Sequence, residues 1–213
     1  MWDDALGAGL QIALFDVAGK AAGAPVHRLL GNKVRDWCPV AWWSVDMPPE
    51  DMAAEASRAV ELGYTAHKQK ARPYFDVVEQ VEAVSSVVPK HFRVELDFNE
   101  MLLNAGSALP LLKELDTFAN VALYESPIPQ ADVEGNLRLR SQTCTPTALH
   151  VGVPPLATAI QHDMCDGFVV GGGVSSVLRQ AAILSAFNKQ FFLQIVGTGI
   201  TASFALHIGA VAT

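Results

Sequence analysis

Two lysines separated by one residue are the side chains of this sequence best suited to chemistry. They are Lys68 and Lys70, within the run YTAHKQK at 64–70. If this run is a β-strand, successive side chains alternate between its faces, so both lysines share one face. Neighbouring ammonium groups disfavour each other's protonation, and burial acts in the same direction, so one lysine could be neutral enough to remove a proton. The alternative is a solvated Lys-x-Lys on an edge strand, because most charges on strands face water.

Acidic side chains end the next two predicted strands. Apolar and polar residues alternate through FRVELDFN at 92–99, so Asp97 and Asn99 point to the same side. The apolar run at 121–125 ends in Glu125, directly before a turn-forming Ser-Pro. Functional groups of a parallel barrel collect at the rim where the strands end. Two carboxylates brought together there would repel each other unless a hard divalent cation lay between them, and oxygen ligands suit Mg²⁺.

Composition favours a globular protein that acts on small molecules. The 213 residues are 50% hydrophobic, which is enough for a substantial core. The net charge of −7 argues against a nucleic-acid partner, which would require a basic face. Three cysteines without metal-type spacing indicate a reducing, cytoplasmic location.

Neither end of the sequence predicts a membrane segment. The acidic start at 1–4 lacks the order of charges of a signal peptide. The uncharged run at 191–213 is long enough to cross a bilayer, but its glycines and polar residues favour a strand, a glycine turn and a buried helix.

Apolar periodicity predicts a helix at 3–19, followed by about seven strand–helix units. The predicted strands cover 37–43, 64–70, 92–99, 121–125, 147–152, 166–170 and 191–196. Each unit is roughly 20 to 30 residues long, as expected for a barrel of this kind. We therefore predict an α/β fold, an incomplete TIM-type (β/α) barrel preceded by an N-terminal helix. Residues 1–34 would form the helix and a connector, and residues 35–213 the barrel domain.

Five motifs occur in a characteristic order and spacing: ALFDVAGKAAG at 13–23, KQK at 68–70, DFN at 97–99, YESPIP at 124–129 and GGV at 172–174. Together they resemble the barrel domain of the enolase superfamily, in the mandelate racemase and muconate lactonizing enzyme group. Such proteins also carry an N-terminal capping domain and an eighth strand, so we expect this chain to be part of a longer protein.

The resemblance implies roles for these residues. Asp97 and Glu125 would hold a Mg²⁺ ion that binds the carboxylate of the substrate. Lys70 would remove the proton α to that carboxylate, and Lys68 would stabilise the enediolate and lower the pKa of its neighbour. Asn99 would make an auxiliary contact to the metal or the substrate.

The sequence departs from the family pattern in two places. The fifth predicted strand carries no carboxylate, and His150 is its only polar candidate for a third metal ligand; the alternative is a hydrogen-bonded histidine at a strand end. The sixth strand offers no second acid or base, and the seventh offers only Gln194. We also consider Trp43 and Tyr74, with Gln194, as candidates for substrate contact.

With one identifiable base, the pattern favours a dehydratase of a hydroxylated carboxylic acid such as an acid sugar. Racemisation, epimerisation or cycloisomerisation is the second choice. Two further readings stay open. One is a Schiff-base lysine barrel with phosphate at the glycine turns 171–173 and 197–199, and the other is a barrel without catalysis. We expect a small carboxylate substrate, a homo-oligomer such as a dimer or octamer, and neither a nucleic-acid nor a membrane partner.

Overall fold

The computed structural model describes residues 1–194 and 197–212. A 3₁₀ turn at Asp4–Leu6 precedes helix α1 at Gly7–Ala22 and the short helix α2 at His27–Leu30. Strands and helices then alternate in the order β1 Trp42–Ser44, α3 Pro49–Glu61, β2 Ala66–Lys70, α4 Val77–Val87, β3 Arg93–Asp97, α5 Ala105–Leu115, β4 Val121–Glu125, α6 Val133–Gln142, β5 Thr147–His150, α7 Leu156–Gln161, β6 Gly167–Val170, α8 Val174–Ala186, β7 Gln190–Leu193 and α9 Gly199–Val211.

This element order confirms the predicted N-terminal helix and the seven strand–helix units among the described residues. The first strand was placed wrongly, because it begins at Trp42 rather than at residue 37. Pro39 lacks the backbone N–H that a strand donates, and the side chain of Trp37 is 89% exposed. The last two residues of the predicted seventh strand, Ile195 and Val196, lie outside the described residues.

The chain divides into two compact units, one of residues 40–166 and one of residues 1–39 together with 167–213. In the first unit, strands β1 to β5 are parallel, and each pairs with the next in the chain. In the second unit, β6 and β7 form a parallel pair. The predicted division at residue 34 stays a prediction.

One face of the β1–β5 sheet packs against helices and forms the core of its unit. Leu96 and Tyr124 are fully buried on this face, and α3 contributes Met52, Ala56 and Ala59, as its periodicity predicts. The hydroxyl of Tyr124 donates to the carbonyl of Leu112 in α5 at 2.9 Å. Because side chains alternate along a strand, burial of this face directs the intervening side chains to the opposite face.

Side-chain caps fix where the helices after β2, β3 and β4 begin. Asp76 accepts hydrogen bonds from the amides of Val78 and Glu79, at 2.9 and 3.2 Å, at the start of α4. Asn104 caps α5 and Asp132 caps α6 in the same way. A cap satisfies amides that have no partner within the helix, so each loop that follows a strand ends at a defined residue.

Helix α1 buries a different face from the one that its apolar stripe suggests. Gln11, Phe15 and Gly19 are buried, whereas Leu10 and Val17, two of the apolar residues whose spacing predicts this helix, are 49% and 64% exposed. By length and composition alone, the helical segment at 4–22 could cross a bilayer, a weak signal because core helices and signal sequences have the same properties. Helix α9, in the uncharged run that raised this question in the sequence, is shorter.

The helix-facing side of β2 also buries polar groups. The His67 ring is fully buried, and its Nε2 lies 2.8 Å from the Ser44 hydroxyl oxygen on β1. Burial lowers the pKa of His67 from 6.5 to about 4, because the imidazolium form cannot be solvated there. The buried carboxamide of Gln69, on the same face, has no hydrogen-bond partner in the described part of the chain.

Neutral His67 should make the stability of the protein sensitive to acid. Between pH 6.5 and about 4 the unfolded chain binds a proton at this residue that the folded chain does not, so stability present above pH 6.5 is lost as the pH falls. We expect His67→Gln to remove this loss, which amounts to roughly 3 kcal/mol at most. Urea unfolding of wild type and variant between pH 7 and 4.5 measures it. His91 is exposed, so His91→Gln is the matched control. If the free energy of unfolding changed with pH in the same way in wild type and His67→Gln, the prediction would be contradicted.

Candidate active site

The face of the β1–β5 sheet opposite the helices carries a ladder of charged residues. In the register of β2 with β3, Lys68 pairs with Glu95 and Lys70 pairs with Asp97. In the register of β3 with β4, Asp97 pairs with Glu125. These residues alternate with core residues, so the packing of the opposite face positions them.

The two lysines contact the two carboxylates that end β3 and β4. The ammonium of Lys70 donates to Asp97 Oδ2 at 2.5 Å. The ammonium of Lys68 donates to Glu125 Oε2 and also lies 3.4 Å from Asp97 Oδ2. Both carboxylates are fully buried, and the two lysines are less than 10% exposed. The structure thus brings together four of the predicted site residues in one buried cluster.

Burial and charge act in opposite directions on the acids of the cluster. Burial raises the pKa of Asp97, but the ammonium groups of Lys68 and Lys70 outweigh it and hold the pKa below its usual range. Glu95 lies two residues before Asp97 on β3, opposite Lys68. Burial raises the pKa of Glu95; the charge of Lys68 opposes this rise, and the charge of Glu125 adds to it. Asp97 is therefore an ionised oxygen donor at neutral pH.

The donor set fits a hard divalent cation. One cationic atom, Lys68 Nζ, reaches both carboxylates, so Asp97 and Glu125 converge on a common point. Magnesium in proteins is commonly held by one or two carboxylates, with water and substrate oxygens completing its shell. Among the described residues, no group of three or more His, Cys, Asp or Glu side chains has the arrangement of a metal site. Asp97 and Glu125 are the two described carboxylates that meet at this point and could hold such an ion.

His150, the predicted third ligand, lies at the end of β5 beside the cluster. Its Nε2 is 3.0 Å from Glu125 Oε1, and its backbone amide donates to Gln130 Oε1 at 2.5 Å. The ring nitrogen nearest the carboxylates is thus engaged with Glu125 itself. This contact fits a residue that orients Glu125, and metal ligation by His150 stays a prediction.

Asn99 extends the ladder one step beyond Asp97, in an uncommon backbone conformation. Its φ is +48°, in the left-handed region that asparagine tolerates better than most residues. Its backbone amide donates to Asp97 Oδ1 at 3.1 Å, and its side-chain Oδ1 accepts from Arg72 Nε at 2.9 Å. The side-chain oxygen that a metal would need already accepts from a cation, so a direct metal contact is disfavoured.

The remaining predicted substrate contacts are not brought into the cluster by any described contact. Trp43 and Tyr74 are 47% and 64% exposed. Gln194 follows β7 in the other compact unit, where its amide donates to the carbonyl of Val170. Their roles stay predictions.

Arg72 and Asp46 lie next to the cluster but were not among the site residues predicted from the sequence. The Arg72 amide donates to Asp46 Oδ1 at 3.1 Å, and its guanidinium approaches Asp46 Oδ2 at 3.4 Å. Arg72 follows Lys68 and Lys70 at the same spacing of two residues, and this spacing could have indicated that it lies on the same face. Its partner Asn99, which lies just after β3, can be identified only once the register of β2 with β3 is known.

Two acidic residues outside the cluster, Asp166 and Asp4, are engaged by hydrogen bonds. Asp166 accepts from the amide of Thr147 at 2.9 Å and from Arg140, so it is a turn residue rather than a free base. At the glycine turn 171–173, Asp4 accepts from the amides of Ser175 and Ser176 at the start of α8. A phosphate there would have to displace this carboxylate, which counts against the phosphate-binding reading.

Comparison with known proteins gives the family. The model of the enolase C-terminal domain-like family matches residues 51–213. The chain is 29% identical over 147 residues to an N-succinyl-L-Arg/Lys racemase of Bacillus cereus, covering 68% of this chain and 40% of that protein. It is 32% identical over 151 residues to a D-galactonate dehydratase of Variovorax paradoxus, covering 66% of this chain and 39% of that protein.

A solved structure supports the same assignment. The mandelate racemase/muconate lactonizing family protein of Azoarcus sp. EbN1 superposes with a TM-score of 0.84 at 27% identity, over 94% of this chain and 56% of that chain. The predicted barrel-type fold is thereby confirmed, and so is the prediction of a lyase or isomerase family. The chain spans about 40% of the length of the two curated relatives. It belongs to the enolase C-terminal domain-like family, in the mandelate racemase and muconate lactonizing enzyme group.

Proposed function

We propose that the complete protein removes a proton α to a carboxylate in a Mg²⁺-dependent reaction through an enediolate, and that it dehydrates a hydroxylated carboxylic acid such as an acid sugar. One observation carries the proposal: two lysines and two carboxylates from three adjacent strands meet in a single buried cluster. Members of this superfamily generally bind Mg²⁺. Relatives named as D-galactonate and D-gluconate dehydratases support the choice of substrate class.

Each residue of the cluster has a distinct proposed task. Asp97 and Glu125 hold the cation, which when bound stabilises negative charge on the substrate carboxylate. Lys70 accepts the α-proton. Lys68 stays an ammonium and donates to the oxygen on which charge develops, where a fixed donor contributes most. His150 keeps the Glu125 carboxylate in its orientation.

We favour dehydration because the lysines of β2 are the one general base that the sequence pattern identifies. A racemase needs an acid or base on each side of the planar intermediate, and Asp166, near the start of β6, is engaged with Thr147 and Arg140. Loss of hydroxide can be assisted by the same base or by water. Racemisation is the second candidate, because the relative from Bacillus cereus is named a racemase.

Two other readings follow from the same residues. In a Schiff-base enzyme a lysine would be the nucleophile, and borohydride would trap its adduct with the substrate. In a barrel without catalysis the cluster would be structural. We also propose a cytoplasmic location and assembly into a dimer or octamer.

Replacement of the proposed base should stop α-proton exchange. We expect Lys70→Ala to lower the exchange rate of the substrate α-proton with deuterated solvent by roughly 10²- to 10⁴-fold, the usual contribution of a general base. Proton NMR of D-galactonate, D-gluconate and N-succinyl-L-arginine with the complete protein and Mg²⁺ measures the rate. Exposed Lys113→Ala is the matched control. Wild-type exchange in Lys70→Ala would remove Lys70 from this role.

Removal of one carboxylate charge should weaken the cation site. We expect Asp97→Asn to raise the dissociation constant for Mg²⁺ by tenfold or more, because an amide oxygen lacks the charge that attracts a hard cation. Calorimetric titration of the complete protein measures it, with Asp51→Asn on the exposed side of α3 as the control. Equal affinities in wild type and Asp97→Asn would exclude Asp97 as a ligand.

Lys68 should also be needed for stability when no metal is added. Lys68→Met leaves the buried Glu125 and Asp97 with one ammonium fewer, and loss of one partner of a buried ion pair typically costs roughly 3–5 kcal/mol. We expect this loss of unfolding free energy in urea at pH 7 with EDTA, and a smaller loss at acidic pH, where the carboxylates can protonate. Lys113→Met is the control. A variant as stable as wild type at pH 7 would show that the cluster does not depend on this ammonium.

A further inference from the structure

Arg72 adds a third step to the charged ladder, beyond the layer of Lys70 and Asp97. Lys68, Lys70 and Arg72 follow one another at intervals of two residues, as do Glu95 and Asp97 of β3 and Asn99 just after it. The register pairs Lys68 with Glu95 and Lys70 with Asp97, and Arg72 and Asn99 lie two residues beyond its last pair. The hydrogen bond from Arg72 Nε to Asn99 Oδ1 joins this pair.

A continuous chain of hydrogen bonds runs from Asp46 to the proposed metal ligand. Asp46, 10% exposed in its side chain, accepts from the Arg72 amide and pairs with its guanidinium. Arg72 donates to the Asn99 side chain, and the Asn99 amide donates to Asp97 Oδ1. Asp97 Oδ2 is left facing the two lysines.

The chemistry of the donors fixes the direction of this chain. A guanidinium has only donors, so the oxygen of the Asn99 carboxamide, and not its nitrogen, must face Arg72. The backbone of Asn99 has a positive φ, a conformation that persists only where neighbouring contacts maintain it. The side-chain bond to Arg72 is such a contact, and it holds the amide that orients Asp97.

We propose that Arg72 is a positioning residue for the metal site: braced by Asp46, it holds Asn99 in its left-handed conformation and thereby fixes the orientation of the Asp97 carboxylate. This inference rests on the proposed function, because it assumes that Asp97 is a metal ligand. Partners that orient metal ligands typically contribute roughly 10- to 100-fold to metal affinity.

Electrostatics and positioning predict opposite effects, which makes the test decisive. Arg72 is a cation near the proposed cation site, so its charge alone repels Mg²⁺. If charge were its only influence, Arg72→Met would bind Mg²⁺ more tightly. If Arg72 positions Asp97, the same variant binds Mg²⁺ more weakly.

The experiment is a calorimetric Mg²⁺ titration of the complete protein and four variants. We expect Arg72→Met and Arg72→Lys to raise the dissociation constant by roughly tenfold or more, since lysine keeps the charge but lacks the guanidinium fork. Asn99→Ala removes the acceptor for Arg72 and disfavours the positive φ, so it should raise the dissociation constant in the same way. Arg58→Met breaks an exposed ion pair with Glu61 on α3 and should leave the affinity unchanged.

The outcomes separate this inference from the proposed function. Wild-type or tighter affinity in both Arg72→Met and Arg72→Lys overturns the positioning role and leaves the proposed function intact. A fall in melting temperature without a change in affinity gives Arg72 a structural role only, and also overturns it. If wild type itself binds no Mg²⁺, the proposed function fails and the inference fails with it. Should Arg72→Met not fold, Arg72→Lys decides the question.

Discussion

The mutual neutralisation of four buried charges is the constraint on which the candidate site depends. Asp97 and Glu125 are fully removed from solvent, and each would be costly to bury alone. Lys68 reaches both, and Lys70 contacts Asp97. These contacts exist only in one register of β2, β3 and β4, because a shift by one residue would turn every one of these side chains to the helix-facing side. The site and the pairing of the strands therefore specify each other.

Strand β2 separates two polar environments of different character. On one face its lysines meet carboxylates, so the charges are compensated. On the other face His67 is buried beside Ser44 and remains neutral, with a pKa of about 4. The strand thus tolerates four consecutive buried polar residues because charge is confined to the face where partners from β3 and β4 supply the opposite sign. Interchange of the two faces would leave ammonium groups against apolar helices.

The parts of this arrangement that follow from local rules could be predicted from the sequence. Strand alternation and the position of a residue at a strand end place Lys70, Asp97 and Glu125 on one rim without knowledge of any long-range contact. Features that depend on tertiary contacts were missed or predicted wrongly. The contact of Arg72 with Asn99 was missed because it depends on the register of two strands. The start of β1 was predicted wrongly because the apolar run at 37–43 was given more weight than Pro39. The apolar stripe of α1 predicts the helix but not which face is buried, because helix periodicity does not identify the packing partner.

Backbone hydrogen bonds also position the rim, in addition to the packing of the opposite face. Directly after β3 and β4 the chain turns through Asn99 and Ser126, both with positive φ. The amide of Glu100 donates to the carbonyl of Ser126 at 2.7 Å, and the amide of Phe98 donates to the carbonyl of Glu125 at 3.1 Å. The two turns therefore hold each other beside the carboxylates that they follow. These bonds add a directionality that contact between hydrocarbon groups lacks. Because one fold supports many chemistries, the side chains that these turns position, and not the backbone alone, determine what a chain of this fold can do.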